Sequence, residues 1–479
     1  MVNYIGFACT TIFHYLHFKR ISSHFDERAI FITATPHYTN NRYEKLVGYF
    51  EDHGIPYCTT ADLISRRILL KAVVAPYFLP VFNFIDKDIL RIRMLYGYAK
   101  DAWNYAEWNK NFDLILAYGP YSERKLEGFA PTISVGHPRF IGISQGLQEN
   151  VLSIDGDSLS YWLEKEPKET LLFCPTWGDL SSFEWFKAAI NQLLTKYKVI
   201  IKLHHGIALS GQYSFDHSAF PGLFVCDETV DLFSLFPVSD LVISDYSGAI
   251  FDAMLAKKKI ILANSISESI LDTGVLNIRK MSNIGDLQVQ EPNQEMSLDV
   301  QMRSVFANTS NPSELIDIVE KVLDEDIVDY SDLNLDLYSY QDDLAALRAY
   351  HAIKKLESQE NNLPRKSVEE SIAFDKNTFQ HFINANKECS FIVWGAGDIG
   401  QLIVSWLHQN DYTITGILDK DPNKIGKILH NIPIKSPESY ERMQHEKVIF
   451  SFPIQNIDSL LSQMPNMTLS SGQYNVPFK

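Results

Sequence analysis

One rhythm constrains this chain more than any single residue does. Short apolar runs alternate with amphipathic stretches, and the pattern starts three times. Up to about residue 135, "NYIGFAC", "AIFITA", "KAVVA", "FDLILAY" and "TISVG" read as strands, and "NRYEKLVGYFEDHG" as a helix stopped at Gly54. Strands that are apolar on both sides need cover on both faces. The alternation therefore predicts parallel sheets between layers of helix. It restarts near residue 150 with "TLLFCPT", "KVIIKLHH", "GLFVCD", "DLVISDYSG" and "KIILAN", and "SYQDDLAALRAYHAIKKLES" follows as a closing helix. After a polar stretch, Glu357 to Ser371, it begins again at "CSFIVWGAGDIGQLIVSWL". The 479 residues exceed what one core holds, and roughly 150 per domain gives three. The expected units are residues 1–140, 141–356 and 372–479, each an α/β Rossmann-like domain, with residues 357–371 as a linker.

The formal net charge of −16 argues against broad nucleic-acid binding, which needs a basic face. The five cysteines are scattered without a CxxC pair, so no zinc site or disulfide framework is expected. A reducing, cytoplasmic setting fits, and no secretion signal is visible. The longest apolar run, Ala72 to Ile85, is too short to span a bilayer and carries two prolines. It reads as a buried strand with a packed loop, or as a membrane-docking patch that would hold the protein at the inner face of the membrane.

Three strand-to-loop junctions of the second unit could carry chemistry. In "LVISDYSGAIFDAML" the strand should end at Asp245, with Ser247 and Gly248 where a helix begins. Free N–H groups and the helix dipole there favour a phosphate, although Ser247 also suits a plain N-cap. Asp252, a turn into that helix, either steadies the loop or is a first-turn acid. In "KVIIKLHHGIA", His204 and His205 fall at a strand end, and His204 is the candidate for stabilising charge on a leaving diphosphate. In "FCPTWGD", Thr176 and Trp177 form a third loop, whose hydroxyl could meet a phosphate or simply cap a turn.

In order and spacing, "GHPRF", "FCPTWGD", "KLHHGIA" and "VISDYSGAIFDAMLAKKKIIL" resemble the CDP-glycerol glycerophosphotransferase family, over about residues 90 to 265. The resemblance implies a GT-B architecture, with the nucleotide donor in the second domain, the acceptor in the cleft, and no required metal or cofactor. Carried over, His204, Ser247 and Thr176 contact the diphosphate, with Trp177, Asp245, Gly248 and Asp252 beside them, and Arg139 lies near the interdomain joint. The chain departs from the pattern at five places. Tyr96 stands where a histidine base is expected, Gly178 for an arginine, Ile141 for an aspartate, Gly206 for a proline and Gly248 for a serine. Tyr96 is a poor base near neutral pH, which leaves Asp101 and Glu107 as nearby carboxylates.

In the last unit, Gly395, Gly397 and Gly400 form GxGxxG after a strand, and Asp419 ends the next one. That context fits a bound dinucleotide or nucleotide-sugar, with Asp419 on ribose hydroxyls. The segment also resembles small Rossmann-like domains appended to sugar-modifying transferases, which favours binding or structure over hydride chemistry. The whole reads as a transferase moving a polyol phosphate or sugar from a CDP-polyol or NDP-sugar to a glycan or lipid-linked glycan acceptor in cell-surface polysaccharide synthesis. A nucleotide-sugar epimerase of the same architecture and a non-catalytic nucleotide-binding assembly protein are the alternatives.

Overall fold

The computed structural model describes residues 3–33, 41–64, 68–83, 85–86, 88–99, 101–142, 151–177, 181–206, 220–264, 298–326, 329–359, 376–441, 445–452, 460, 469 and 473–476. Gly178 and most of the expected linker lie outside them.

Each restart of the rhythm builds one sheet. The first has seven strands: β1 (Tyr4–Ala8), β2 (Ala29–Thr33), β3 (Tyr57–Thr59), β4 (Leu70–Ala75), β5 (Leu90–Met94), β6 (Leu114–Ala117) and β7 (Thr132–Ser134). They lie in the order β3-β2-β1-β4-β5-β6-β7, all parallel. The second has β8 (Thr170–Cys174), β9 (Lys198–Lys202), β10 (Phe224–Cys226), β11 (Leu241–Ser244), β12 (Lys259–Ala263) and β13 (Ala307–Thr309). Their order, β10-β9-β8-β11-β12-β13, is again parallel throughout. The third holds β14 (Ser390–Trp394), β15 (Ile414–Leu418), β16 (Ile428–Leu429), β17 (Ile432–Lys435), β18 (Glu446–Phe450) and β19 (Tyr474–Asn475). Its order is β16-β17-β15-β14-β18-β19, and only the β16–β17 hairpin is antiparallel.

In all three sheets the chain winds outward from the first strand in both directions. This leaves a switch point beside that strand, between β1 and β4, β8 and β11, and β14 and β18. Helices cannot cover the crevice there, so ligands of such sheets sit beyond the strand ends at these points.

Strand β5, "LRIRM", was not among the expected strands, because Arg91 and Arg93 interrupt the apolar run. Both are nevertheless buried. Arg93 spends its guanidinium on Pro76 O (3.2 Å), Asn104 O (2.7 Å), Asn104 Oδ1 (3.0 Å) and Asn109 Oδ1 (2.6 Å), and lies 4.6 Å from the Trp108 ring centre. A buried cation is tolerable when its donors are satisfied in this way.

The units are interlocked. The closing helix Ala345–Gln359 belongs to the second unit by chain order, yet packs on the helix Ile12–Ser22 of the first. Arg28 pairs with Glu357 at 2.6 Å, and Arg20 donates to Asp343 O at 3.0 Å.

Where it is described, much of the apolar run Ala72 to Ile85 packs into the first unit, in line with a buried strand and a packed loop. It supplies β4 and the short helix Pro80–Asn83, and Val81, Phe82 and Ile85 are buried. The helix Asp398–Gln409 of the third unit packs against Pro80–Asn83 and Thr60–Ile64, and Gln409 Nε2 donates to Ala61 O at 3.2 Å. Among the described residues, no helix is long and apolar enough to cross a membrane. Removing residues 372–479 should therefore bare this seam. The expected readout is stronger binding of a dye specific for exposed apolar surface and a lower unfolding temperature for the remainder; unchanged values for both would show that the third unit covers nothing.

Candidate functional site

At the second switch point, one carboxylate organises two loops. Asp245 follows β11 and is fully buried. Its Oδ1 accepts from Thr176 N at 2.8 Å, and its Oδ2 accepts from Ser182 N at 2.9 Å and Ser182 Oγ at 3.0 Å. One strand pair further in, Ser244 Oγ donates to Cys174 O at 2.7 Å. Asp245 thus lies under the loop, holding the Thr176 turn and the start of the helix Phe183–Lys196, rather than facing a donor. Burial pushes its carboxyl up to about 6, against the pull of these hydrogen bonds.

Ser247 and Gly248 sit above it. Ser247 is buried, and its Oγ accepts from Ala249 N at 3.3 Å, a local cap on the helix Ala249–Leu255. A Cβ on Gly248 would meet only Ala99 of the first unit, at 3.6 Å, so packing does not force a glycine there. That near contact does place the Ser247 loop against the segment following β5.

The neighbouring strand end brings in the histidines. His204 Nδ1 accepts from Gly206 N at 2.9 Å. A ring nitrogen that accepts has no proton, so neutral His204 carries its hydrogen on Nε2 and acts as a donor, as a leaving phosphate requires. Gly206 is also explained. A Cβ there would stand 2.5 Å from the Trp177 ring, so proline or any other side chain would displace Trp177. The Trp177 loop, the His204 turn and the Ser247 loop therefore adjoin one another at the switch point.

The first unit faces them with its own switch point. Thr10, after β1, shares a hydrogen bond of 2.9 Å with Tyr77 OH, after β4. Thr10 N and Thr10 Oγ1 lie 3.2 and 3.0 Å from His14 Nδ1. Tyr96, after β5, has its ring centre 5.7 Å from that of His14. His205 crosses from the second unit and stacks on Phe13, with centres 4.4 Å apart and planes 14° apart. Burial, then the neighbouring Tyr77, pushes the Tyr96 phenol well above its ordinary range, which keeps it protonated near neutral pH and still less available as a base. Asp101 accepts from Tyr121 OH at 2.6 Å and from Leu298 N at 3.2 Å, so it ties down its own surroundings. Glu107 pairs with Lys110 on a short helix. His14, His17 and His137 had not been singled out. His14 and His17 share the first helix and His137 lies in "GHPRF", and His17 and His137 meet only in space, with ring centres 5.7 Å apart.

Arg139 and Asp252 meet at the joint. Arg139 donates to Asp231 Oδ1 at 3.1 Å and to Asp252 Oδ2 at 2.9 Å, and its guanidinium lies over Phe13 (4.6 Å) and Phe233 (5.1 Å). Arg139 N donates to His137 Nδ1 at 3.3 Å, which leaves the proton of neutral His137 on Nε2, 3.4 Å from Asp252 Oδ1. Burial alone would raise the Asp252 carboxyl. Its interactions with His137 and Arg139 outweigh burial and bring the group below its usual value. Arg139 was expected near the interdomain joint, where it lies, and Asp252, expected beside the diphosphate, pairs with it across that joint.

In the third unit the backbone at Gly395 has φ +104°, and a Cβ there would collide with Ser451. Gly397 precedes the helix Asp398–Gln409, and Gly400 lies in its first turn. Asp419 is committed within the protein, which differs from the expected ribose contact. Its Oδ2 accepts from Ala396 N at 2.7 Å and Lys424 Nζ at 2.9 Å, and its Oδ1 from Asp421 N at 2.9 Å.

Residues 156–265 match the model of the CDP-Glycerol:Poly(glycerophosphate) glycerophosphotransferase family. The match spans β8 to β12 and so contains Thr176, His204, Asp245, Ser247 and Asp252, while Tyr96 and Arg139 lie outside it. No curated protein matches the chain. Among solved structures, the chain is similar to a variant of the wall teichoic acid polymerase TagF, with 13% identity, 75% of this chain and 90% of that chain covered, and a TM-score of 0.50. It is also similar to TagF itself, at 13% identity over 75% of this chain and 90% of that chain, with a TM-score of 0.47. A third similar structure is Anabaena Alr3699/HepE in complex with UDP and glucose, at 12% identity over 74% of this chain and 99% of that chain, with a TM-score of 0.41. The architecture is a GT-B-type pair of Rossmann-like units, with a third sheet added.

Two stability predictions follow from the buried carboxylates. Asp252→Ala strips Arg139 of one of its two partners and should cost about 3 kcal/mol in chemical denaturation; a loss below about 1 kcal/mol would mean that the joint does not depend on this pair. For Asp245, the folded value near 6 exceeds the ordinary 3.8. Its ionisation therefore costs stability, a cost that is absent below about pH 4, grows as pH rises and is complete above about pH 6. The stability of the native chain minus that of Asp245→Asn should fall by about 3 kcal/mol between pH 4 and pH 7. A pH-independent difference would contradict the raised value.

Proposed function

We propose that the chain transfers a polyol phosphate or a sugar from a nucleotide-activated donor, a CDP-polyol or an NDP-sugar, to a glycan acceptor in cell-surface polymer synthesis. One observation carries the reading. Within the segment that matches the family, the Thr176, His204 and Ser247 loops adjoin one another at the switch point of the second sheet. The first unit faces them with Phe13, which stacks on His205, and Ala99, beside Gly248.

In this reading the donor's diphosphate lies across the ends of β8, β9 and β11. Backbone N–H groups of the Ser247 turn, the Thr176 hydroxyl and the Nε2–H of His204 meet its charge, without a metal. Donors fixed before the reaction stabilise a departing phosphate more effectively than water does, because they need not reorient. The acceptor hydroxyl enters from the side of the first unit, between Tyr96 and the histidine pair, and the cleft supplies orientation. The third unit would bind a nucleotide or nucleotide-sugar at its glycine loop, or serve as cover for the first.

His204→Ala should keep the fold and the unfolding temperature. It should lower the rate of CMP or nucleoside diphosphate release on addition of acceptor by about a hundredfold, the scale of losing one preorganised donor. Full activity in that variant would remove His204 from the mechanism. Donor isomerised in the absence of acceptor would instead identify an epimerase.

A further inference from the structure

A column of flat groups runs through the joint. His204 stacks on His205, with centres 4.1 Å apart and planes 28° apart. His205 stacks on Phe13 at 4.4 Å and 14°. The Arg139 guanidinium lies over the same Phe13 ring at 4.6 Å and over Phe233 at 5.1 Å. The members come from both units. His204, His205 and Phe233 come from the second, while Phe13 and Arg139 come from the first. Phe13 sits near the start of the helix Ile12–Ser22, inside the Thr10–His14 turn, whose Thr10 reaches Tyr77 across the first switch point.

We propose that Phe13 is a positioning residue for the transfer reaction, fixing the His204–His205 pair through its stack on His205. The reasoning is geometric. His204 stands two residues past the end of β9, and a single backbone contact such as that from Gly206 N to its Nδ1 does not hold the imidazole to the tolerance that a charge-stabilising donor needs. Its neighbour His205 is held by a ring from the other unit. The stack forms only when the two units adopt this relative placement. The first unit thereby sets the orientation of the donor-side histidines, and the pair is in place only when the acceptor side is closed. Arg139, anchored to Asp231 and Asp252, backs the phenyl ring with a cation, an arrangement that favours an electron-rich flat ring over an aliphatic side chain.

The inference rests on the proposed transfer and is tested on the full chain with CDP-glycerol, CDP-ribitol and a set of NDP-sugars as donors. Phe13→Leu should lower kcat about tenfold at an unchanged unfolding temperature and donor KM, and Phe13→Tyr should restore most of the rate. A role confined to stability would lower the unfolding temperature and leave the kcat of the folded fraction intact. His205→Ala, made alone and with Phe13→Leu, supplies the second arm. If Phe13 acts through His205, the double variant loses no more than the worse single one. Native-like kcat in Phe13→Leu, or additive losses in the double variant, overturns the positioning role while leaving the transferase reading in place. No transfer by the native chain from any of these donors overturns both.

Discussion

The ion pair from Arg139 to Asp231 and Asp252 is the interaction on which the functional arrangement depends. It is buried, it crosses between the first two units, and both of its carboxylates lie next to elements of the second switch point. Taking such charges out of water is costly, and replacement by apolar groups of similar size often loses nothing. What the pair adds is direction. A guanidinium held by two carboxylates in a fork has one low-energy placement, whereas an apolar seam between two doubly wound units would allow sliding. The neutral imidazole of His137 tightens the placement by presenting Nε2 to the same Asp252.

A second carboxylate acts at shorter range. Asp245 takes three donors and binds the ends of β8 and β11 into one surface. The two aspartates of "SDYSGAIFDA" therefore share a segment but divide the work. Asp245 shapes the crevice from below, and Asp252 fixes where the opposing unit stands. Ser247 and Gly248 lie between them in sequence and at the crevice in space.

Much of this was legible in the chain, for identifiable reasons. Sheets buried on both faces leave apolar runs, and "TLLFC", "KVII" and "DLVIS" stood out accordingly. Short polar motifs stand beside those runs, and Thr176, His204 and Ser247 lie in them at the ends of neighbouring strands. Strand β5 was hidden because the buried Arg93 satisfies its donors through partners such as Asn104 and Asn109 that no local pattern reveals. The roles of Arg139 and Asp252 were hidden for the same reason, since an ion pair 113 residues apart in sequence leaves no spacing to read. The third-unit helix that meets the Ala72–Ile85 run lies far away in the chain, so no local pattern announces that contact. His14 and Phe13 belong to an unremarkable first helix and gain meaning only where the two switch points meet.

The departures from the family pattern have a spatial logic of their own. Gly206 admits the Trp177 ring, Gly248 faces Ala99 of the opposing unit, and Tyr96 packs beside His14 and Tyr77. All three lie on surfaces that look into the cleft. The residues below that surface, Asp245 and Ser244, keep the loops tied as two-strand geometry requires. On the proposed reading, the same scaffold would hold the diphosphate, while Tyr96, Trp177 and the Phe13–His205 stack would decide what else fits.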